Sequence, residues 1–218
     1  NPPKEDSDPI GQASGYRLSD ELLQQTAQNL TNMNDWLKER NKDFGILICP
    51  NKESVYYDEM PKYYNTESTS TSDQLYEYLT KNTDIKVAHP KISIAAAKKN
   101  NPDFEFYYKT DTHWNDLGAY LDAKSLLEQF NITLPDLNTK NTECFVDFSG
   151  DLAGMTGIPL SFGYGNRYTI NGYPKNDVVQ ETLFDKVESF KSIGQDNRKV
   201  LVIRDSFSTY MYPYFNPE

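Results

Sequence analysis

Histidine and cysteine are scarce in this sequence, with two of each in 218 residues. No Cys-x-x-Cys pair occurs and no His stands near a Cys at ligand spacing, so a structural zinc site is excluded. Neither a metal nor a cofactor is expected. Any imidazole chemistry must come from His89 or His113. Long apolar runs are missing too, and nothing approaches the roughly 18–20 residues that span a bilayer. Basic charge is in short supply: 22 Lys and Arg against 32 Asp and Glu leave a net charge of −10. A surface of that sign repels phosphate backbones, so nucleic acid is not an expected partner. What is present, 37% hydrophobic and 25% charged residues, lies above the composition of disordered chains and suffices for one domain with a single core.

Residues 1–15, with Pro2, Pro3, Pro9, Gly11 and Gly15, read as a flexible leader, and residues 16–218 as the domain. The chain opens on Asn1 rather than Met, as removal of a signal peptide or anchor, or trimming, would leave it. Ser19 is a good N-cap for a core-facing helix carrying Leu22, Leu23, Leu30, Met33, Trp36 and Leu37 to about Arg40. Phe44 to Cys49 is a short apolar run, as in a parallel strand buried on both faces. A helix entered through Ser72, a strand at Ile85 to Ala88, a helix at Ile92 to Lys99 and a strand at Phe104 to Tyr108 follow. Asn115 then caps a helix striped by Ala119, Ala123, Leu126, Leu127 and Phe130. This alternation predicts an α/β fold with a mostly parallel central sheet flanked by helices. Residues 131–197 read as an irregular insertion holding one helix, near Gln180 to Phe190, before a last strand at Lys199 to Ile203. Cys49 and Cys144 read as buried free thiols, with a Cys49–Cys144 disulfide as the alternative.

Candidate chemistry gathers at the ends of these expected strands, where open α/β sheets bind ligands. In Lys109-Thr110-Asp111-Thr112-His113-Trp114, a carboxylate two residues from an imidazole can hold one ring nitrogen and leave the other as a base. A capping or core histidine is the alternative. In Arg204-Asp205-Ser206-Phe207, a serine on the turn out of a strand can be an exposed nucleophile, and Asp-Ser there can equally be a plain helix cap. Together Ser206, His113 and Asp111 supply nucleophile, base and orienter for acyl transfer. His89, with no acid nearby in sequence, reads as structural.

Tyr108 to Asn115 followed by Gly118-Ala119 resembles the Asp-x-His-Trp signature of the alginate O-acetyltransferase (AlgX/AlgJ-like) and DHHW family, whose members are SGNH-hydrolase-like. Pro50-Asn51-Lys52-Glu53-Ser54-Val55-Tyr56 and Gly150-Asp151-Leu152 are similar to two further elements of that family. The resemblance implies a permuted SGNH order, because Asp111 and His113 precede Ser206. It implies Ser206 as nucleophile, His113 as general base and Asp111 as orienting acid. Arg204, a candidate substrate-binding residue, stands where Gly commonly precedes Asp-Ser, which implies either a less tight turn or a more cationic entrance. The family runs on beyond the equivalent of Glu218, so a domain truncated at its C-terminus is expected.

The function so implied is O-acetylation of a cell-surface or secreted polysaccharide through an acetyl-serine, outside the cytoplasmic membrane. The chain would be exported or anchored through a missing N-terminal segment. A membrane-bound O-acyltransferase would supply the acetyl group. Trp114 is a candidate wall or sugar-stacking surface, with core burial as the alternative, and Tyr210 or Tyr212 a candidate hydrogen-bond donor to an acyl or sugar oxygen. Two other functions remain open from sequence: a carbohydrate acetylesterase with the same triad, and a non-catalytic glycan-binding member of the family.

Overall fold

The computed structural model describes residues 16–61, 69–172, 179–184, 187–191 and 198–215, so the leader expected over 1–15 lies outside the described residues. Contacts divide the chain into two units, Asn1–Phe104 with Glu128–Asn131, and Glu105–Leu127 with Ile132–Glu218.

In the first unit, Ser19 caps helix α1 (Asp20–Lys38) by accepting the Leu22 N–H, and Asp20 and Glu21 sit at the positive end of the helix dipole. The buried face is Leu23, Ala27 and Asn34. Leu22, Met33 and Trp36 are exposed, because the stripe that packs inward is narrower than the apolar set in the sequence. Strand β1 (Gly45–Leu47) precedes a short helix α2 (Lys52–Val55). It pairs in parallel with β2 (Lys86–Ala88), Ile46 opposite Val87. Helix α3 (Thr71–Asn82) lies in the crossover that a parallel pair requires. Ala27, Leu79, Ile85 and Val87 form the core, with Leu30, Phe44, Ile46, Ile48 and Leu75 packed on it. Helix α4 (Lys91–Asn100) follows β2.

The entry to α3 is a buried ionic knot. Ser70 and Asp73 form a capping box, with the Ser70 N–H donating to Asp73 Oδ2 at 2.6 Å. Asp73 also receives the Lys91 ammonium, and its Oδ1 lies 3.1 Å from His89 Nε2. The Nδ1 of His89 faces the Ile48 carbonyl at 2.8 Å. Both partners are hydrogen-bond acceptors, so the ring is held from its two nitrogens at once. Burial works against charge on Asp73, but the bonds from His89, Lys91 and Ser70 outweigh it and hold the carboxyl far below its usual range. A depressed folded value stabilises the protein above the unfolded pKa, about 3.9, and that stabilisation fades as pH falls through the folded one. Asp73→Asn is therefore expected to cost about 3 kcal/mol at pH 7. Urea unfolding at pH 7 and again near pH 3 should show the gap between variant and wild type shrinking; a constant gap would contradict this account.

In the second unit, the Asn115 side chain opens helix α5 (Asp116–Glu128) by accepting the N–H groups of Leu117 and Gly118. Gly118 is needed for closeness: a Cβ there would lie 2.4 Å from the Phe106 carbonyl oxygen. Asp122 on the same helix is fully buried with no hydrogen-bond partner for either oxygen, and burial pushes its carboxyl well up. Strand β3 (Thr142–Phe148) runs antiparallel to β4 (Gly165–Ile170), with a register shift between Val146 and Phe148 and the short helix α6 (Asp151–Met155) between the strands in sequence. Strands β5 (Val179–Phe184) and β6 (Val187–Lys191) form a second antiparallel pair.

Several expectations are corrected. The helix expected at Gln180 to Phe190 is the β5–β6 pair, in agreement with the β-branched and aromatic residues that punctuate it. With β3, α6 and β4 it shows that much of the supposed irregular insertion is regular. Phe104 to Tyr108 carries only an isolated bridge, Tyr107 to Trp114. Lys199 to Ile203 is not a strand: Val200, Leu201 and Ile203 stand exposed. Strand β1 is half-buried rather than buried on both faces. Among the described residues, parallel pairing is confined to β1 and β2. No disulfide joins the two cysteines, and neither is buried: Cys144 is exposed on β3, whose residues from Glu143 to Asp147 are exposed on both faces, and Cys49 is half-buried.

Candidate active site

The chain from Phe106 to Asn115 turns back on itself. Tyr107 bridges Trp114, the Tyr108 N–H donates to the His113 carbonyl at 3.1 Å, and the Asn115 N–H donates to the Phe106 carbonyl at 3.2 Å. Asp111 and His113 sit at the tip of this closed loop. Asp111 Oδ1 accepts the backbone N–H of His113 at 2.8 Å and lies 2.6 Å from its Nδ1. Asp111 Oδ2 accepts the Asp151 N–H at 2.9 Å. Burial raises the Asp111 carboxyl, but these bonds overcome it and hold the group below its usual range, so it stays ionised. An ionised acceptor on Nδ1 fixes the tautomer with the proton there, which leaves the Nε2 lone pair outward.

That lone pair meets a residue from far along the chain. His113 Nε2 lies 2.7 Å from Ser206 Oγ across 93 residues. Ser206 opens a single 3-10 turn, Ser206–Tyr210, capped by Asp205, whose side chain accepts the Phe207 N–H at 3.0 Å. The amide after the serine is thus already bonded within the turn. Trp114 fixes the turn from below: its indole N–H donates to the Phe207 carbonyl at 2.8 Å, and the two rings meet edge-on at 4.9 Å. Ser206 is exposed while Asp111 is buried, an order of access that suits an outside reactant.

Asp111, His113 and Asp151 each bring one potential ligand atom within 4.8 Å of the others. Nδ1 is committed to Asp111, and the carboxylate oxygens face donors from His113, Asp151 and Thr112. A cluster already filled with donors suits proton movement rather than a cation.

The family model described as SGNH hydrolase-like domain, acetyltransferase AlgX, matches residues 12–215. The chain belongs to this family. It is 23% identical over 177 residues to the probable alginate O-acetylase AlgJ of Pseudomonas putida, an alignment that covers 81% of this chain and 44% of that protein. The chain therefore spans less than half the length of that relative. Among solved structures, PatB1 of Bacillus cereus matches with a TM-score of 0.52 at 17% identity, over 78% of this chain and 58% of that one. The O-acetyltransferase domain of Pseudomonas putida AlgJ matches with a TM-score of 0.48 at 20% identity, over 68% of this chain and 55% of that one. The family gives an SGNH-hydrolase-like α/β fold.

In this AlgX-family chain the remaining candidates separate. Trp114 is fully buried, so it supports the serine turn and presents no open face for a sugar. Arg204 is exposed and donates to the Asp205 carbonyl and to Thr209 Oγ1, both at 3.2 Å, at the approach to Ser206. Tyr210 packs 5.3 Å from Tyr108, and burial pushes its phenol up, which keeps it a donor at neutral pH. The side chain of Tyr212 lies outside the described residues. His89 belongs to the Asp73 knot in the first unit. Asp151 and Thr112 were missed as site residues by reasoning from sequence. Thr112 stood unread inside the Asp111-Thr112-His113 motif, and the one signal for Asp151 was Gly150-Asp151-Leu152, a chemically plain triplet whose place beside Asp111 depends on the fold.

Proposed function

We propose that this chain is a serine-dependent O-acetyltransferase that modifies a polysaccharide outside the cytoplasmic membrane. The observation that carries the reading is the 2.7 Å approach of Ser206 Oγ to His113 Nε2, with Asp111 on the opposite ring nitrogen. Order along the chain, with acid and base before the serine, supports the permuted SGNH arrangement, and residues 16–218 are read as its catalytic domain. The alginate O-acetylase name of the relative supports a polysaccharide acceptor.

Ser206 Oγ attacks the acetyl carbonyl while its proton passes to His113 Nε2. As the tetrahedral species collapses, the donor's leaving group departs with that proton, leaving acetyl-Ser206. A sugar hydroxyl then gives its proton to Nε2 and takes the acetyl group, and the Ser206 oxygen recovers the proton from the ring. A membrane-bound O-acyltransferase is the proposed source of the acetyl group. Asp111 keeps Nδ1 protonated and stabilises the imidazolium in both halves.

Incubation with an activated acetyl ester, followed by peptide mass spectrometry, should find the acetyl group on Ser206 and nowhere else in the second unit. Unlabelled Ser206 in protein that turns over the ester would overturn the assignment. Ser206 is open to water, which favours an esterase as the second reading. Acetate released without oligosaccharide acetylation would select it.

A further inference from the structure

We propose that Asp151 is a positioning residue whose carboxylate stabilises the positive charge that forms on His113 when it takes the serine proton, so that the imidazole beside Ser206 works between two carboxylates rather than one. This rests on reading His113 as the base. Asp151 Oδ2 lies 3.9 Å from His113 Nδ1, too far for a hydrogen bond and close enough for a full charge to act. Asp111 Oδ1 takes the hydrogen bond itself, at 2.6 Å.

The second carboxylate is held in place with care. Thr112, the residue between orienter and base, donates its N–H to Asp151 Oδ1 at 2.9 Å and its hydroxyl to Oδ2 at 2.6 Å. The Asp151 N–H donates in turn to Asp111 Oδ2 at 2.9 Å, and the neighbouring Gly150 N–H donates to Thr110 Oγ1 at 3.1 Å. Each of the two carboxylates thus accepts from donors of its own, Asp111 from His113 and Asp151, and Asp151 from Thr112. Their shared beneficiary is the positive charge that forms on His113 when it takes the serine proton. Such stabilisation is realised only after proton transfer, so it lowers the barrier rather than tightening binding.

The groups that face the ring are Asp111 and Thr112 on its own loop, with the Thr112 hydroxyl oxygen 3.3 Å from Nδ1, and Asp151 on α6. On the serine turn they are the Ser206 hydroxyl and the Phe207 ring, whose centroid is 4.8 Å away. Arg204 and Asp205 precede that turn, with the Arg204 guanidinium bonded to the Asp205 carbonyl and Thr209, and the Tyr210 phenol closes it. The side chain of Asp151 is 33% exposed, so solvent screens part of its field and the effect is moderate.

The test reads the His113 ring by NMR titration, together with the pH dependence of kcat/KM on an acetyl ester. In Asp151→Asn, the ring midpoint and the acid limb of the rate profile should both move down by about half a unit to one unit, and the difference should shrink in about 1 M salt. Asp151→Glu should return both toward wild type. A folded Asp151→Asn protein whose His113 midpoint does not move would overturn the proposal. The ring titration needs no turnover, so a wild type that never forms acetyl-Ser206 would sink the acetyltransferase reading separately.

Discussion

Removal of His113 is expected to lower turnover of an acetyl ester by on the order of 10⁴–10⁶-fold. Ser206→Ala should cost about as much. The double variant should lose little more, because base and nucleophile act as one unit: without a proton acceptor the hydroxyl is a poor nucleophile, and without the hydroxyl the base has nothing to activate. The geometry specifies a cycle in which the 2.7 Å contact is the shared element. Asp111→Asn should fall near 10⁴-fold, since an amide cannot hold the same tautomer on Nδ1. Single-turnover rates for the four variants on one acetyl ester test the set. Additive losses in the double variant would mean that the two residues act on different steps, and a His113→Ala protein within tenfold of wild type would remove the imidazole from the chemistry.

The second large effect needs no change to any functional group. A Cβ placed on Gly150 would lie 2.3 Å from Asp111 Cβ, 2.6 Å from Asp111 Oδ2 and 2.6 Å from the Thr110 carbonyl oxygen. None of these is a flexible side-chain end that can swing away. Its backbone at φ −97°, ψ −174° is open to any residue, so the requirement for glycine is one of space. Gly150→Ala must push α6 away from the Asp111 loop or push Asp111 away from His113, and either movement breaks the hydrogen bonds that keep Asp111 ionised. Misplacement on the order of 1 Å costs about 100-fold in rate, and overpacking costs about 1–3 kcal/mol in stability. Gly154→Ala is the control, because a Cβ there has nothing within 4 Å. Rates and urea midpoints for the two alanine variants should therefore diverge, and a Gly150→Ala protein with wild-type rate would show that the close approach does not matter.

Local rules carried well from sequence to structure. Ser19 caps α1 and Asn115 opens α5, as their side-chain acceptors lead one to expect. Capping of α3 falls on Ser70 rather than Ser72, because Asp73 three residues on completes a reciprocal box only with Ser70. Asp111 and His113 were legible because two residues of chain already hold them within reach of one another. Their meeting with Ser206 was legible only as a chemical complement, and the distance between them needed the fold. Lys199 to Ile203 misled for the same reason that it looked convincing: its composition is that of a buried strand, and pairing is decided by partners that composition does not name. Asp73 was missed as the partner of His89 because 16 residues and a helix entry separate them in sequence. Asp151 was missed because a carboxylate that acts on an imidazole through space leaves no spacing rule behind it.

The closed loop from Phe106 to Asn115 divides the contacts of the site by the length of chain that each must close. Its bonds span ten residues of chain, whereas Ser206 meets His113 across 93 residues, a closure that carries roughly 2 kcal/mol more chain entropy. The contact of Asp111 with His113 is thus closed within a short stretch of chain, whereas the contact with Ser206 depends on the fold that brings the two ends of a long stretch together.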